Sequence, residues 1–66
     1  MSDNLSNVRS LRVSRGITQK ELAEKSNINI RQIQKYESGE YDTGKMMLWN
    51  AITLADALEC DVRELL

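Results

Sequence analysis

The sequence predicts an all-α fold, and three observations carry that expectation. Leu5, Val8 and Leu11 recur every three residues. Leu48, Ala51, Ile52, Ala55 and Leu58 follow the helical period through a later stretch. Between them, residues 18–39 carry the start and stop chemistry of two further short helices.

The first helix is read from Leu5 to Arg15, with Asn4 as its cap. Gly16 ends it, and Ile17 is placed to pack back over the end, as in a Schellman stop. Arg9, Arg12 and Arg15 occupy other parts of this helix, and Arg15 in the last turn suits the helix dipole. Thr18 then caps a second helix, with Glu21 three residues on to complete a capping box. Leu22 and Ala23 supply its inward face. Asn27 falls where it must stop, and Asn tolerates the left-handed backbone a stop needs. Asn29 caps a third helix, with Gln32 in the return position. Ile33 and Tyr36 give that helix its apolar side, and Gly39 closes it. Two helices across a short turn form a helix-turn-helix unit, whose second member can enter a DNA major groove.

Residues 40–44 read as a short polar loop. Tyr41 has two open placements, folded back on the domain or against a DNA backbone. A fourth helix runs from Lys45 or Met46 to Leu58. Met47, Trp49 and Leu54 widen its apolar surface beyond one stripe. A helix of that kind is central to the core or pressed against a partner. Most of it is assigned to the core, while Trp49, Met46 and Met47 stand as candidates for a dimer contact. Asp61 and Glu64 form a capping-box-like start for a last helical turn, with Val62, Leu65 and Leu66 docking on the core.

Rotating the third helix at about 100° per residue, with Ile33 at the centre of its buried face, sets Arg31 and Lys35 nearly opposite. Gln34 and Ser38 flank that stripe on one side and Gln32 on the other. Arg, Lys and Gln are the side chains that reach guanine and adenine edges. A solvated polar face is the alternative account, and the turn chemistry around the helix weighs against it.

Composition bounds the rest. Sixty-six residues make one small helix-turn-helix domain, 1–66, with a core small enough that caps and a partner subunit matter. No apolar run is long enough for a membrane span, and the polar N-terminus lacks the apolar segment of a signal peptide. The lone Cys60 forms no internal disulfide and reads as a small buried apolar group, with a reactive thiol or metal ligand as the alternative. These features point to the cytoplasm. There is no His, no phosphate-cradling Gly loop, no paired-Cys spacing and no nucleophile with a positioned base. No catalytic residue, metal or cofactor is therefore expected. The net charge of −1 hides an asymmetry. Residues 1–36 carry seven basic groups against three acidic ones, and residues 37–66 carry two against seven. The first part can face phosphates while the second faces away, since local potential steers a ligand.

Taken together, Leu11-Arg12, Arg15 to Gln19, Glu21-Leu22-Ala23, Ile28-Asn29, Ile33, Tyr36-Glu37, Gly39 and Leu54 to Leu58 resemble the phage-repressor and Cro type of helix-turn-helix domain, the XRE family. The match covers nearly the whole chain. The resemblance implies a compact five-helix, lambda-repressor-like domain. It implies sequence-specific binding to double-stranded DNA, usually as a dimer on a palindromic operator. Gln19 resembles the family's Gln that contacts a phosphate near the second helix N-terminus. Asn29, Ile30, Arg31, Gln32 and Lys35 match groove-facing positions. Ile30 has two open readings, a thymine-methyl contact and peripheral packing. Arg12 and Glu37 match a pair that forms a partly buried salt bridge and orients the recognition helix. Leu22 and Ala23 match the helix-crossing positions. The loop after Gly39 departs from the pattern, with Glu40 and Asp42 where many relatives place basic residues.

The expectation is a small cytoplasmic transcription regulator, a repressor, working as a homodimer through Trp49, Met46, Met47 or the C-terminal turn. Arg31, Lys35, Gln32, Gln34 and Ile30 read bases, and Gln19, Asn29, Ser38 and Arg9 contact phosphates. The rival is a protein-binding module on the same scaffold, antitoxin- or antirepressor-like. It draws on the net acidity and on the apolar breadth of the fourth helix. A third reading, the DNA-binding piece of a longer regulator, is disfavoured by Met1 and the lack of a trailing linker.

Overall fold

The computed structural model describes residues 7–65. Within them the order is α1 (Asn7–Ser14), α2 (Gln19–Ser26), α3 (Ile30–Ser38), a 3-10 turn (Thr43–Lys45), α4 (Leu48–Leu58) and a second 3-10 turn (Val62–Leu65). The described residues contain no strand. The fifth helical element is thus a 3-10 turn, and a further one precedes α4. The expected cap Asn4 and the start at Leu5 lie outside the described residues, as does Leu66.

Local chemistry sets most of the boundaries. α1 stops in a Schellman motif: Gly16 N donates to Val13 O at 3.0 Å and Ile17 N to Arg12 O at 3.3 Å. Gly16 has φ 71, and a Cβ there would meet nothing within 4 Å, so the backbone, not space, calls for glycine. The capping box of α2 is complete, with Glu21 N donating to Thr18 Oγ1 at 3.0 Å and Thr18 N to Glu21 Oε1 at 2.8 Å. Asn27 ends α2 at φ 60, and Gly39 ends α3 at φ 86. Asn29 caps α3 by accepting from Arg31 N at 2.7 Å. This is a one-sided cap. The reciprocal bond anticipated from Gln32 does not form: no Asn29 N–H donation to its side chain occurs among the described residues, and Gln32 N donates to Asn29 O at 3.0 Å as part of the first turn.

α4 starts later than the sequence pattern implies. Asp42 accepts from Gly44 N at 2.8 Å and opens the first 3-10 turn, which consumes Lys45 and leaves Met46 extended. The helix then begins at Leu48. It ends at Glu59, which adopts φ 55, with Cys60 N donating to Ala55 O at 2.9 Å. The last turn is closed as its sequence suggests, Arg63 N bonding Asp61 Oδ1 and Asp61 N bonding Glu64 Oε2, both at 2.9 Å.

The core gathers Val8, Leu22, Ile28, Ile33, Leu54, Ala55, Leu58 and Leu65. α2 packs against both α3 and α4, while α1 and the last turn close the remaining sides. Each fully buried Leu or Ile contributes about 1.5–3 kcal/mol relative to exposure. The buried face of α4 is rotated from the one read in the sequence. Leu54 is fully buried, whereas Ile52 is 38% and Leu48 72% exposed. Leu48 shares a helical face with Ala55, seven residues on, yet sits in the first turn. There it lines a shallow apolar groove with Met46, Ala51, Val62 and Leu65. Val62, expected to dock, lines the rim of this groove but is exposed at 39%.

Met46, one of the candidates for a dimer contact, is half-buried and packs against the core. Met47 and Trp49 remain outward. Among the described residues no helix is long and apolar enough to cross a membrane.

Candidate nucleic-acid interface

α3 is fixed from behind before it presents anything in front. Ile33, Tyr36 and Glu37 are its buried residues. Glu37 is a carboxylate in the interior, so it must be paired. Arg12 of α1 supplies two donors, Nε at 2.7 Å from Oε2 and Nη2 at 3.1 Å from Oε1. The third guanidinium nitrogen, Nη1, donates to Ile17 O at 2.8 Å. Gln19, at the start of α2, donates from Nε2 to the same Glu37 Oε1 at 3.1 Å. One carboxylate thus ties α3 to α1 and to the N-terminus of α2. Among the described residues no buried side-chain N or O lacks a partner. A planar guanidinium suits this bidentate geometry better than a lysine would.

The outward side of α3 carries Arg31, Gln32, Gln34 and Ser38, all exposed, with Lys35 half-buried beside them. Ile30 opens the helix at 37% exposure, between the two packed helices and solvent. Gln34 Nε2 lies 3.5 Å from Gln19 Oε1, a long contact that lets α2 steady the face of α3. Gln19 is therefore held from both sides at the α2 N-terminus. Asn29 spends its Oδ1 on the cap of α3. The Ser38 hydroxyl is used locally, donating to Lys35 O at 3.1 Å and accepting from Glu40 N at 3.3 Å. Arg9 is exposed on α1.

Lys35 has neighbours that helical spacing does not disclose. The chain reverses at Gly39, and Glu40 Oε2 comes to 3.5 Å from Lys35 Nζ. The ammonium also stands over the Tyr41 ring, 5.3 Å from its centroid. Of the two placements open to Tyr41, the fold takes the first: its ring meets Tyr36 edge-on, centroids 5.4 Å apart.

Arg15 has a different task from the one its position suggests. It lies beyond the end of α1 and reaches the C-terminal end of α4. Its Nε donates to Leu58 O at 2.7 Å and its Nη2 to Glu59 O at 3.0 Å. These are the orphan carbonyls of a helix end, where a cation is favourable. Sequence reasoning had no signal for this partner, 43 residues away.

Cys60 packs against the core from its rim. Burial pushes its thiol pKa up, Glu64 and Asp61 add to the rise, and Arg15 opposes it. The thiol therefore stays protonated and weakly nucleophilic. No cluster of three or more potential metal ligands occurs among the described residues.

A family model described as helix-turn-helix matches residues 8–65. Among solved structures, the crystal structure of the restriction-modification controller protein C.AhdI from Aeromonas hydrophila is similar. It shares 32% identity over 91% of this chain and 86% of that one, with a TM-score of 0.80. No curated protein sequence matches the chain.

Proposed function

The chain belongs to the XRE-type helix-turn-helix family of DNA-binding transcription regulators, and from that premise we propose how it reads its site. α3 enters the major groove of double-stranded DNA. Arg31, Lys35, Gln32, Gln34 and Ile30 face base edges, while Gln19, Asn29, Ser38 and Arg9 meet phosphates and set the register. One observation carries this reading. The polar outer face of α3 is solvent-exposed, while its inner face is locked by the Arg12–Glu37–Gln19 network. A helix fixed from behind, with Arg31, Gln32 and Gln34 exposed on its outer face, is what direct readout requires.

The regulator acts as a repressor in the cytoplasm, without catalysis or cofactor. Two copies bind a two-fold-symmetric site, with their α3 helices about 34 Å apart. They meet through the outward apolar face of Met47, Leu48, Trp49 and Ile52, next to Val62 of the last turn. C.AhdI is a restriction-modification controller protein, and a controller role of that kind is the setting in which this reading fits.

The test is selection of bound duplexes from a randomised pool, with wild type and an Arg31→Ala, Lys35→Ala double variant in parallel. Wild type enriches a palindromic site and the variant does not. Loss of enrichment by both at low salt removes the reading. A second reading, a protein-binding module, draws on the exposed apolar face of α4. Salt separates the two. DNA binding weakens with a slope of about 0.9 per phosphate neutralised, whereas apolar docking is nearly insensitive.

A further inference from the structure

We propose that Glu40 holds the Lys35 ammonium back from DNA phosphates and thereby limits binding to sequences that lack the operator. The inference rests on α3 being the groove-facing helix. Its physical basis is the reversal after α3. Gly39 turns at φ 86, and Tyr41 N then donates to Lys35 O at 3.0 Å. That bond brings Glu40 and Tyr41 back alongside the last turn of α3. Lys35 Nζ sits 3.5 Å from Glu40 Oε2 and 5.3 Å from the Tyr41 ring centroid. Tyr41 leans edge-on against Tyr36, which is buried. The Ser38 hydroxyl bridges Lys35 O and Glu40 N. The acid is thus placed by an anchored turn, although the ion pair itself is open to solvent, with 42% and 62% of the two side chains exposed.

A lysine ammonium is a compact point charge that neutralises any phosphate it can reach. Each phosphate neutralised releases counterions, the main drive for sequence-blind binding. With a carboxylate beside it, Lys35 offers the backbone almost no net charge. A base edge is different. It lies at a fixed place and asks for one directed donor, and an ammonium has three. Glu40 stands at ion-pair distance on one side of the ammonium and leaves its N–H donors able to turn to a guanine edge. The pair therefore costs little at the operator and more everywhere else, which is a specificity device.

The test uses the full chain as wild type, Glu40→Gln, Lys35→Met and the double variant, each checked for its helical circular dichroism. Binding is titrated by fluorescence anisotropy across a salt series, on the selected duplex and on one of equal length without the site. Glu40→Gln tightens the second duplex by about two- to fivefold, the range of an exposed pair. It steepens the salt slope there by about 0.9. The selected duplex gains less, so discrimination falls. In the Lys35→Met background the gain disappears. An equal gain in that background means Glu40 repels DNA directly, and this proposal fails. No gain from Glu40→Gln, with wild type still discriminating, also overturns it and leaves the regulator reading intact. A wild type that does not discriminate at all removes both.

Discussion

Arg12 and Glu37 form a bidentate ion pair across 25 residues of chain, Nε to Oε2 at 2.7 Å and Nη2 to Oε1 at 3.1 Å. Their side chains are 14% and 3% exposed. A pair this deep adds little net stability over an apolar substitute, but losing one member strands the other. Glu37→Gln is expected to lower stability by about 3 kcal/mol in urea unfolding. Arg12→Met with Glu37→Leu should recover much of that, because neither charge is then left alone. A single variant within about 0.5 kcal/mol of wild type would show that water, not protein, satisfies the remaining partner.

Glu59 holds a left-handed φ of 55 at the end of α4, where glycine would be at ease. Its backbone, not its side chain, makes the useful contact, accepting from Arg15 Nη2 at 3.0 Å. Glu59→Gly should therefore stabilise the fold by about 0.5 kcal/mol, strain relief set against glycine's greater unfolded entropy. Arg15→Ala should destabilise by about 1 kcal/mol, through loss of charge-assisted bonds to carbonyls that are partly solvated. Thermal midpoints that move in the opposite directions would contradict both assignments.

Cys60 gives the pH dependence a sign. Burial raises its thiol pKa in the folded state, with Glu64 and Asp61 acting the same way. The native state then binds the proton more tightly than the unfolded chain. Its contribution is fully present below the ordinary thiol pKa and is lost as pH climbs through the raised value. Alkylation of Cys60 in native buffer should be slower than in denaturant at the same pH. A Cys60→Ala variant should show a shallower loss of stability on the alkaline side. Equal alkylation rates in both states would mean that the thiol is not shielded.

The places where the fold was legible share one property: they depend on a few consecutive residues. Thr18 with Glu21, Gly16 with Ile17, Asn27 and Gly39 each declare a helix end through backbone chemistry within one turn. The polar stripe of α3 follows from Ile33 alone, because 3.6-residue periodicity fixes the opposite face. The misreadings concern relations between elements. α4 is apolar on several faces, so its sequence cannot say whether Leu48 or Leu54 meets the core. That depends on where α2 and the last turn lie. Lys35 and Glu40 are five apart across a left-handed glycine, a spacing outside the helical rules. Arg15 looks like the end of its own helix and serves another.

Arg31 tests whether the outer face of α3 reads bases. It is exposed and sits in the first turn, beside the Asn29 cap. If it meets a guanine edge, Arg31→Ala should cost about 1–3 kcal/mol on the selected duplex and relax preference at a single position of the half-site. Binding to unrelated duplexes should fall much less. A uniform loss on every duplex, with a salt slope shallower by about 0.9, would reassign Arg31 to a phosphate.

The outer face of α4 tests assembly. Met47, Leu48 and Trp49 are 68%, 72% and 69% exposed, so they are not needed for the core of one copy. Large apolar side chains grouped at one helix start are costly to leave in water and are enriched at interface centres. Trp49→Glu and Leu48→Glu should leave the unfolding midpoint of dilute protein nearly unchanged. Either should shift sedimentation from two copies to one at micromolar concentration, because a charge in a buried interface is strongly disfavoured. The paired half-sites should then behave independently in DNA binding, with affinity for the full site falling toward that for a single half-site. If the mass in solution is unchanged while the fold stays intact, the face belongs to a different partner, and the search moves to proteins that bind the wild type but not Trp49→Glu.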